Sequence, residues 1–219
     1  MIGQLSKEEI NRKLLHLLAI ILPAGIFYIP IVWKVHPIDV CCLIFLLLFF
    51  SLLIEYFRLR VSPFGSWFSH SFGSMMRTEE QNQLTGATYV LGGSSICSLI
   101  SLYNEAAAVS CFLCLTLFIL GDAVAAIVGK AFGRIKVGNK TVEGGVGCFL
   151  FCVLTTGFIF PVLPAFTDFW GSEISIIQIF LISASIAILE FFPFKFRGFA
   201  LNDNLYVPGL SSVIAIMIR

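Results

Sequence analysis

The sequence predicts an all-α polytopic membrane protein: about seven transmembrane helices plus one interfacial amphipathic helix, in a single domain with a cytoplasmic N-terminus. Three observations carry that prediction. Mean hydropathy is +0.95, and 58% of the 219 residues are hydrophobic against 12% charged, far from the balance of a water-soluble domain. Apolar stretches recur at 14–33, 38–57, 84–103, 106–128, 145–166 and 174–194, each near the roughly 20 residues that cross the hydrocarbon core. Finally, twelve of the 14 Lys and Arg fall on the side that would hold the N-terminus, leaving Lys34 and Arg219 on the other. The net charge of +1 conceals this asymmetry, and no nucleic-acid partner is expected.

Taken in order, Ser6-Lys7-Glu8-Glu9 fits a capping box that starts a helix running into the first span. On it Glu9, Arg12 or Lys13, and His16 share one face at the membrane boundary. This span is long for a signal segment and no small-residue cleavage site follows it, so it is read as a permanent helix. The second span ends in Glu55 and Arg58, three residues apart, which pair as a structural element of the cytoplasmic rim. From 62 to 82, Phe64, Trp67, Phe68, Phe72, Met75 and Met76 recur at helical spacing opposite Ser66, Ser69, His70, Gly73 and Arg77. That pattern predicts a helix lying in the interface, suited to be a lid or entrance for a lipid. The third span opens with Thr85-Gly86-Ala87-Thr88, and its Gly92, Gly93, Ser94, Ser95 and Ser98 place it inside the bundle. A seventh apolar segment, 205–218, is short and carries Pro208-Gly209, a point where it would break. All seven cysteines lie within spans; even the Cys111–Cys114 pair reads as small packing residues.

The stretch 121–147 organises the chemistry. Asp122 lies deep in an apolar helix, where a carboxylate is expensive and its default reading is functional. Ala125, Gly129 and Gly133 follow as a small-residue stripe, and then come Arg134, Lys136, Lys140, Thr141, Glu143 and Gly144. A basic, glycine-bearing loop suits polyphosphate, because backbone amides approach closely and cations neutralise charge. It is not a P-loop: Asn139 separates Gly138 from Lys140, and no strand–loop–helix unit surrounds it. Asp122, Glu143, Glu190 and Asp203 are expected to converge on one membrane face, with Arg12, Lys13, Lys130, Arg134 and above all Lys140 as the pool for phosphate contacts. Oxygen ligands of this kind suit Mg2+, which takes one or two carboxylates plus substrate phosphates. Glu143 is placed equally as a ligand or as the cap of the fifth helix.

These residues resemble a known family. The pattern Asp122, Ala125, Gly129, Gly133, Lys136, Lys140, Thr141, Glu143 and Gly144 is similar to that of the membrane CTP-transferase superfamily. That group includes phosphatidate cytidylyltransferases and the CTP-dependent lipid kinases: dolichol or polyprenol kinase, phytol kinase and yeast-type diacylglycerol kinase. Glu9-x-x-Arg12-Lys13-x-x-His16, Leu84 to Thr88, and Glu190…Asp203-Asn204…Pro208 resemble the kinase branch. The C-terminal signature of the cytidylyltransferases is missing, and no histidine follows His70.

The resemblance implies CTP as phosphate donor and a membrane lipid alcohol as acceptor, with γ-phosphoryl transfer at the cytoplasmic face. Catalytic positions would be Asp122, Lys140, Glu190 and Asp203, with Mg2+ on Asp122 and Asp203. Nucleotide and phosphate contacts would come from Arg12, Lys13, Gly129, Lys130, Gly133, Arg134, Lys136, Thr141, Glu143 and Gly144. His16 and Asn204 would meet the lipid headgroup. Two rivals stand beside this expectation: cytidylyl transfer to phosphatidate, and a non-enzymatic transporter. Transporters tend to place ionisable groups near the midplane in repeated halves, whereas these acids gather at one end.

Overall fold

A helix that is apolar on every side finds no stable place on a surface and has to be wrapped by its neighbours. Glu105–Phe132 is that helix: its buried residues run from Ala107 to Ala125 and look in all directions. The computed structural model describes residues 17–76, 78–196 and 199–219. The capping box at Ser6, the positions Arg12, Lys13 and His16, the start of the first span and Arg77 lie outside the described residues.

The order is α1 (Ile21–Trp33), α2 (Pro37–Arg60), α3 (Ser62–Phe72), α4 (Gly86–Ser101) and α5 (Glu105–Phe132). A hairpin of β1 (Lys136–Val137) and β2 (Lys140–Thr141) leads into α6 (Val142–Leu154). Then come α7 (Phe166–Trp170), α8 (Ile176–Phe191), a second hairpin of β3 (Lys195–Phe196) and β4 (Phe199–Ala200), and α9 (Asp203–Ile218). The central α5 packs against α1, α4, α6, α7, α8 and α9. α6 continues without a gap through a π turn and a 3-10 turn, so its run extends to Val162.

Among the described residues, three helical runs are long and apolar enough to cross a membrane: Pro37–Arg60, Glu105–Phe132 and Val142–Val162. Three further apolar helices, α1, α8 and α9, are shorter. The all-α reading therefore holds apart from the two short hairpins. Several boundaries differ from expectation for identifiable reasons. α8 stops at Phe191 because Phe192 precedes Pro193 and is held extended, at φ −100 and ψ 103. The interfacial helix expected over 62–82 ends at Phe72, and 3-10 turns at Gly73–Met75 and Thr78–Asn82 replace its second half. None of the residues of α3 is buried, and Trp67 is 57% exposed. Conversely, α9 runs through Pro208 unbroken. The Asn204 carbonyl, which a proline four residues on cannot bond, instead lies close against Gly93, where α4 and α9 meet.

As the glycine- and serine-rich composition suggests, α4 is an interior helix: Ser94, Ser95 and Ser98 are buried, and Gly92 and Gly93 admit α9. Cys97, Cys111, Cys114, Cys148 and Cys152 are buried free thiols within the core. Toward the start of α5 the core is aromatic, with Phe27 stacked on Phe112 at 4.8 Å and Phe166 on Trp170 at 5.8 Å. Arg219 ties the chain's last residue to that cluster by donating to the Trp170 and Phe169 carbonyls. The opposite end of α5 carries the charge.

Candidate functional site

Asp122, Glu190 and Asp203 arrive from three helices at one place. Asp122 is on α5, Glu190 in the last turn of α8, and Asp203 in the first turn of α9. One carboxylate oxygen from each lies within 4.8 Å of the others. Lys140, on β2, completes the group: its Nζ is 2.5 Å from Glu190 Oε1 and 2.9 Å from Asp203 Oδ2, and it also donates to the Glu190 carbonyl. When ionised, these four side chains by themselves sum to two negative charges.

Local folding explains how each member is held. Val137 and Lys140 are cross-strand partners, and the two residues between them make the tight turn that doubles the chain back. Gly138 takes φ +62 there, the left-handed region that favours glycine at the first position of a two-residue hairpin. Thr141 is the N-cap of α6, its hydroxyl accepting from the Gly144 amide at 3.2 Å. The stripe on α5 receives that threonine. A Cβ on Gly129 would stand 2.5 Å from Thr141 Oγ1, and one on Gly133 would stand 2.7 Å from Thr141 Cγ2. Gly129, Gly133 and Gly144 are therefore seats for the close approach of β2 and α6 to α5.

At the end of α8 the chain must satisfy orphan carbonyls. Lys140 takes that of Glu190, and the Tyr206 hydroxyl donates to that of Leu189 at 3.1 Å while accepting from the Phe194 amide at 3.1 Å. Tyr206 on α9 thus fixes the turn that presents Glu190. Asp203 opens α9, where the helix N-terminus favours negative charge, and Asn202 caps it by accepting from the Asn204 amide.

Electrostatically the site is concentrated. The Glu190 side chain is 4% exposed, while those of Lys140 and Asp203 are 27% and 26% exposed. Burial alone favours the neutral amine of Lys140, but the Asp203 and Glu190 carboxylates outweigh it and hold its pKa above the usual lysine value. Among the described residues, Glu190 Oε2 and Asn204 Oδ1 are buried acceptors with no hydrogen-bond partner. These three carboxylates could hold a divalent cation, and their hard oxygens are the ligand type that Mg2+ takes.

The other expected site residues are placed as follows. Glu143 does not join the three acids; it accepts from the Ile135 amide at 3.2 and 3.3 Å, latching the hairpin to α6. Of its two expected roles, the cap of α6 belongs to Thr141. Lys130, Arg134 and Lys136 are exposed at the end of α5 and on the hairpin. Asn204 neighbours Asp203, with its amide nitrogen facing the start of α4 near Gly86.

A second polar centre supports that start of α4. The Glu55–Arg58 pair is buried, with side chains 4% and 2% exposed, and is not an open rim pair. Glu55 Oε1 accepts from the Thr85 amide at 2.9 Å, the Thr85 hydroxyl at 2.6 Å and the Thr88 hydroxyl at 3.2 Å. Arg58 donates to the carbonyls of Glu80, Gln81 and Gln83. Sequence spacing showed the pair but not Thr85 and Thr88, thirty residues away. Tyr206 was missed altogether, since no local signal ties it to Leu189.

A protein of Rickettsia prowazekii (strain Madrid E), itself described as uncharacterized, is 24% identical over 203 residues, covering 91% of this chain and 89% of its own length. No family model matches the chain. No solved structure matches it.

Proposed function

We propose that this protein is an integral membrane kinase of about seven spans that transfers the γ-phosphoryl group of CTP to the hydroxyl of a lipid alcohol. The N-terminus and the site lie on the cytoplasmic side, as the distribution of Lys and Arg supports. The single observation that carries the reading is the meeting of Asp122, Glu190 and Asp203 with Lys140 at one end of an apolar bundle.

Helix dimensions support the placement. Asp122 stands seventeen residues after the start of α5, about 26 Å along the axis. With Glu105 at the outer boundary, Asp122 comes within about 4 Å of the inner edge of a core about 30 Å thick. An acid there can serve water-soluble and membrane-bound reactants together.

Phosphoryl transfer asks the protein chiefly for positioning and charge neutralisation. Mg2+ held by Asp122 and Asp203 would neutralise the triphosphate when bound. Lys140 would exchange its acid partners for phosphate oxygens, and Lys130, Arg134 and Lys136 border the nucleotide. The alcohol oxygen attacks the γ-phosphorus, the bond to the bridging oxygen of the departing CDP breaks, and Glu190 or Asp203 accepts the alcohol's proton. Glu190 Oε2, with no hydrogen-bond partner among the described residues, has capacity for that proton.

The test supplies purified protein with Mg2+, CTP or ATP, and a panel of polyprenol, phytol and diacylglycerol, and identifies products by mass. A lipid phosphate monoester with released CDP supports the proposal. A CDP-lipid with released pyrophosphate from phosphatidate would replace it with the cytidylyltransferase reading, and no turnover with any pair would remove the enzyme reading.

A further inference from the structure

An apolar groove runs along the outward side of the α6–α8 contact. Its lining includes Val142, Gly145 and Val146 from α6 and Ala184, Ile188 and Phe191 from α8, and its volume is about 300 Å³. No polar side chain lines it. Val146 and Ile188 are 50% and 56% exposed, so the groove opens away from the core. Small residues help to open it: Gly145 and Ala184 are in its lining, and a Cβ on Gly145 would stand 2.9 Å from the Phe191 ring.

Its distinguishing feature is where it ends. Val142 is two residues after Lys140, and Phe191 is the residue after Glu190. The groove's lining therefore comes within one residue of Glu190 on α8 and within two of Lys140 before α6, at the end of both helices that carries the ion pair. A hydrocarbon chain lying in this groove with its polar end toward Val142 and Phe191 would bring that end to the level of the acids.

We propose that the groove between α6 and α8 holds the hydrocarbon chain of the acceptor lipid and aims its hydroxyl at Lys140, Glu190 and Asp203. This rests on the kinase reading above and adds which surface selects the acceptor. The volume is at the lower end for ligand pockets, enough for one chain segment. Bilayer hydrocarbon solvates such a chain as well as an apolar groove does, so burial alone gives no preference. Selection comes from fit beside Gly145 and Ala184 and from the polar groups beyond its end.

The test uses a polyprenol or diacylglycerol carrying a photoreactive diazirine on its chain, with the full-length protein in phosphatidylcholine vesicles. Insertion into α6 and α8 peptides, competed by the unlabelled alcohol, is expected. Ala184→Phe and Val146→Trp, which fill the groove from opposite walls, should abolish that labelling. They should also raise KM for the lipid about tenfold while leaving KM for CTP unchanged. Leu47→Trp, on the exposed face of α2, serves as the control and should change neither. Labelling that a diazirine phosphatidylcholine reproduces, or that the alcohol does not compete, would overturn the assignment in favour of ordinary bilayer lipid. Cross-linking of two copies through Val146 would overturn it in favour of a subunit contact. Phosphorylated product with labelling outside α6 and α8 would refute the groove and leave the kinase. Competed labelling without product would support the groove as the alcohol's binding site and refute the kinase.

Discussion

Replacing Lys140 by Met removes an ammonium set among acids while keeping most of the side chain's volume. Lys140 Nζ bonds Glu190 Oε1 at 2.5 Å and Asp203 Oδ2 at 2.9 Å. Asp203 is 26% exposed and can recover water, but Glu190, at 4%, cannot. Breaking a buried pair by deleting one partner costs 3–5 kcal/mol. Since Lys140 itself is 27% exposed, the lower end applies, about 3 kcal/mol. For a chain of this size that is a fall in Tm of about 6–12 °C. Metal supplies the control. A divalent cation on the same acids replaces the lost charge, so Mg2+ should raise the Tm of Lys140→Met more than that of the wild type. The pH dependence has a definite sign. The pKa of Lys140 is raised in the folded state, so its contribution is fully present below the unfolded value near 10.5 and is lost as pH rises through the folded value. The gap between wild type and Lys140→Met should therefore be flat from pH 7 to about 9 and close only above the ordinary lysine range. Thermal unfolding in detergent, with and without Mg2+, measures all three effects. A variant as stable as wild type without metal, or one that Mg2+ stabilises no more than wild type, would refute the reasoning.

Three further outcomes follow from other contacts. Arg58→Met leaves Glu55 buried without its cation and frees three carbonyls, so stability should fall by about 3–5 kcal/mol in denaturant titration. Gly129→Val places a branched side chain against the Thr141 hydroxyl, and overpacking should cost about 1–3 kcal/mol in the same assay. Under the proposed function, Asp122→Asn should abolish product formation while expression and Tm stay near wild type, and near-normal turnover would remove Asp122 from the metal site.

How much was legible beforehand varies by residue. Asp122 announced itself, because a carboxylate within a long apolar run has few explanations. The packing role of Gly92, Gly93 and the serines of α4 was equally plain from their size. The partner of Lys140 was not: Glu190 and Asp203 lie fifty and sixty-three residues away, and only the docking of α8 and α9 on α5 brings them to its amine. Glu55 and Arg58 were paired from spacing, but their burial depends on Thr85, Thr88 and the carbonyls of 80–83, which helical periodicity does not encode. Aromatic spacing extended the interfacial helix to 82, whereas the chain breaks at Gly73, where helix propensity is weakest. Pro208 misled in the other direction, since α9 runs through it unbroken while the Asn204 carbonyl lies against Gly93.

Under the proposed function, Asp122 and Asp203 hold one divalent cation that carries the triphosphate, beside Glu190. Titrating the purified protein with Mn2+ in the presence of CTP, and following free Mn2+ by electron paramagnetic resonance, tests it directly. The account predicts one tight Mn2+ site per chain that weakens sharply in Asp122→Asn and Asp203→Asn and persists in Glu143→Gln, whose carboxylate lies on the Ile135 amide. Mn2+ binding that is absent from the wild type, or unchanged by loss of Asp122 and Asp203, would contradict it.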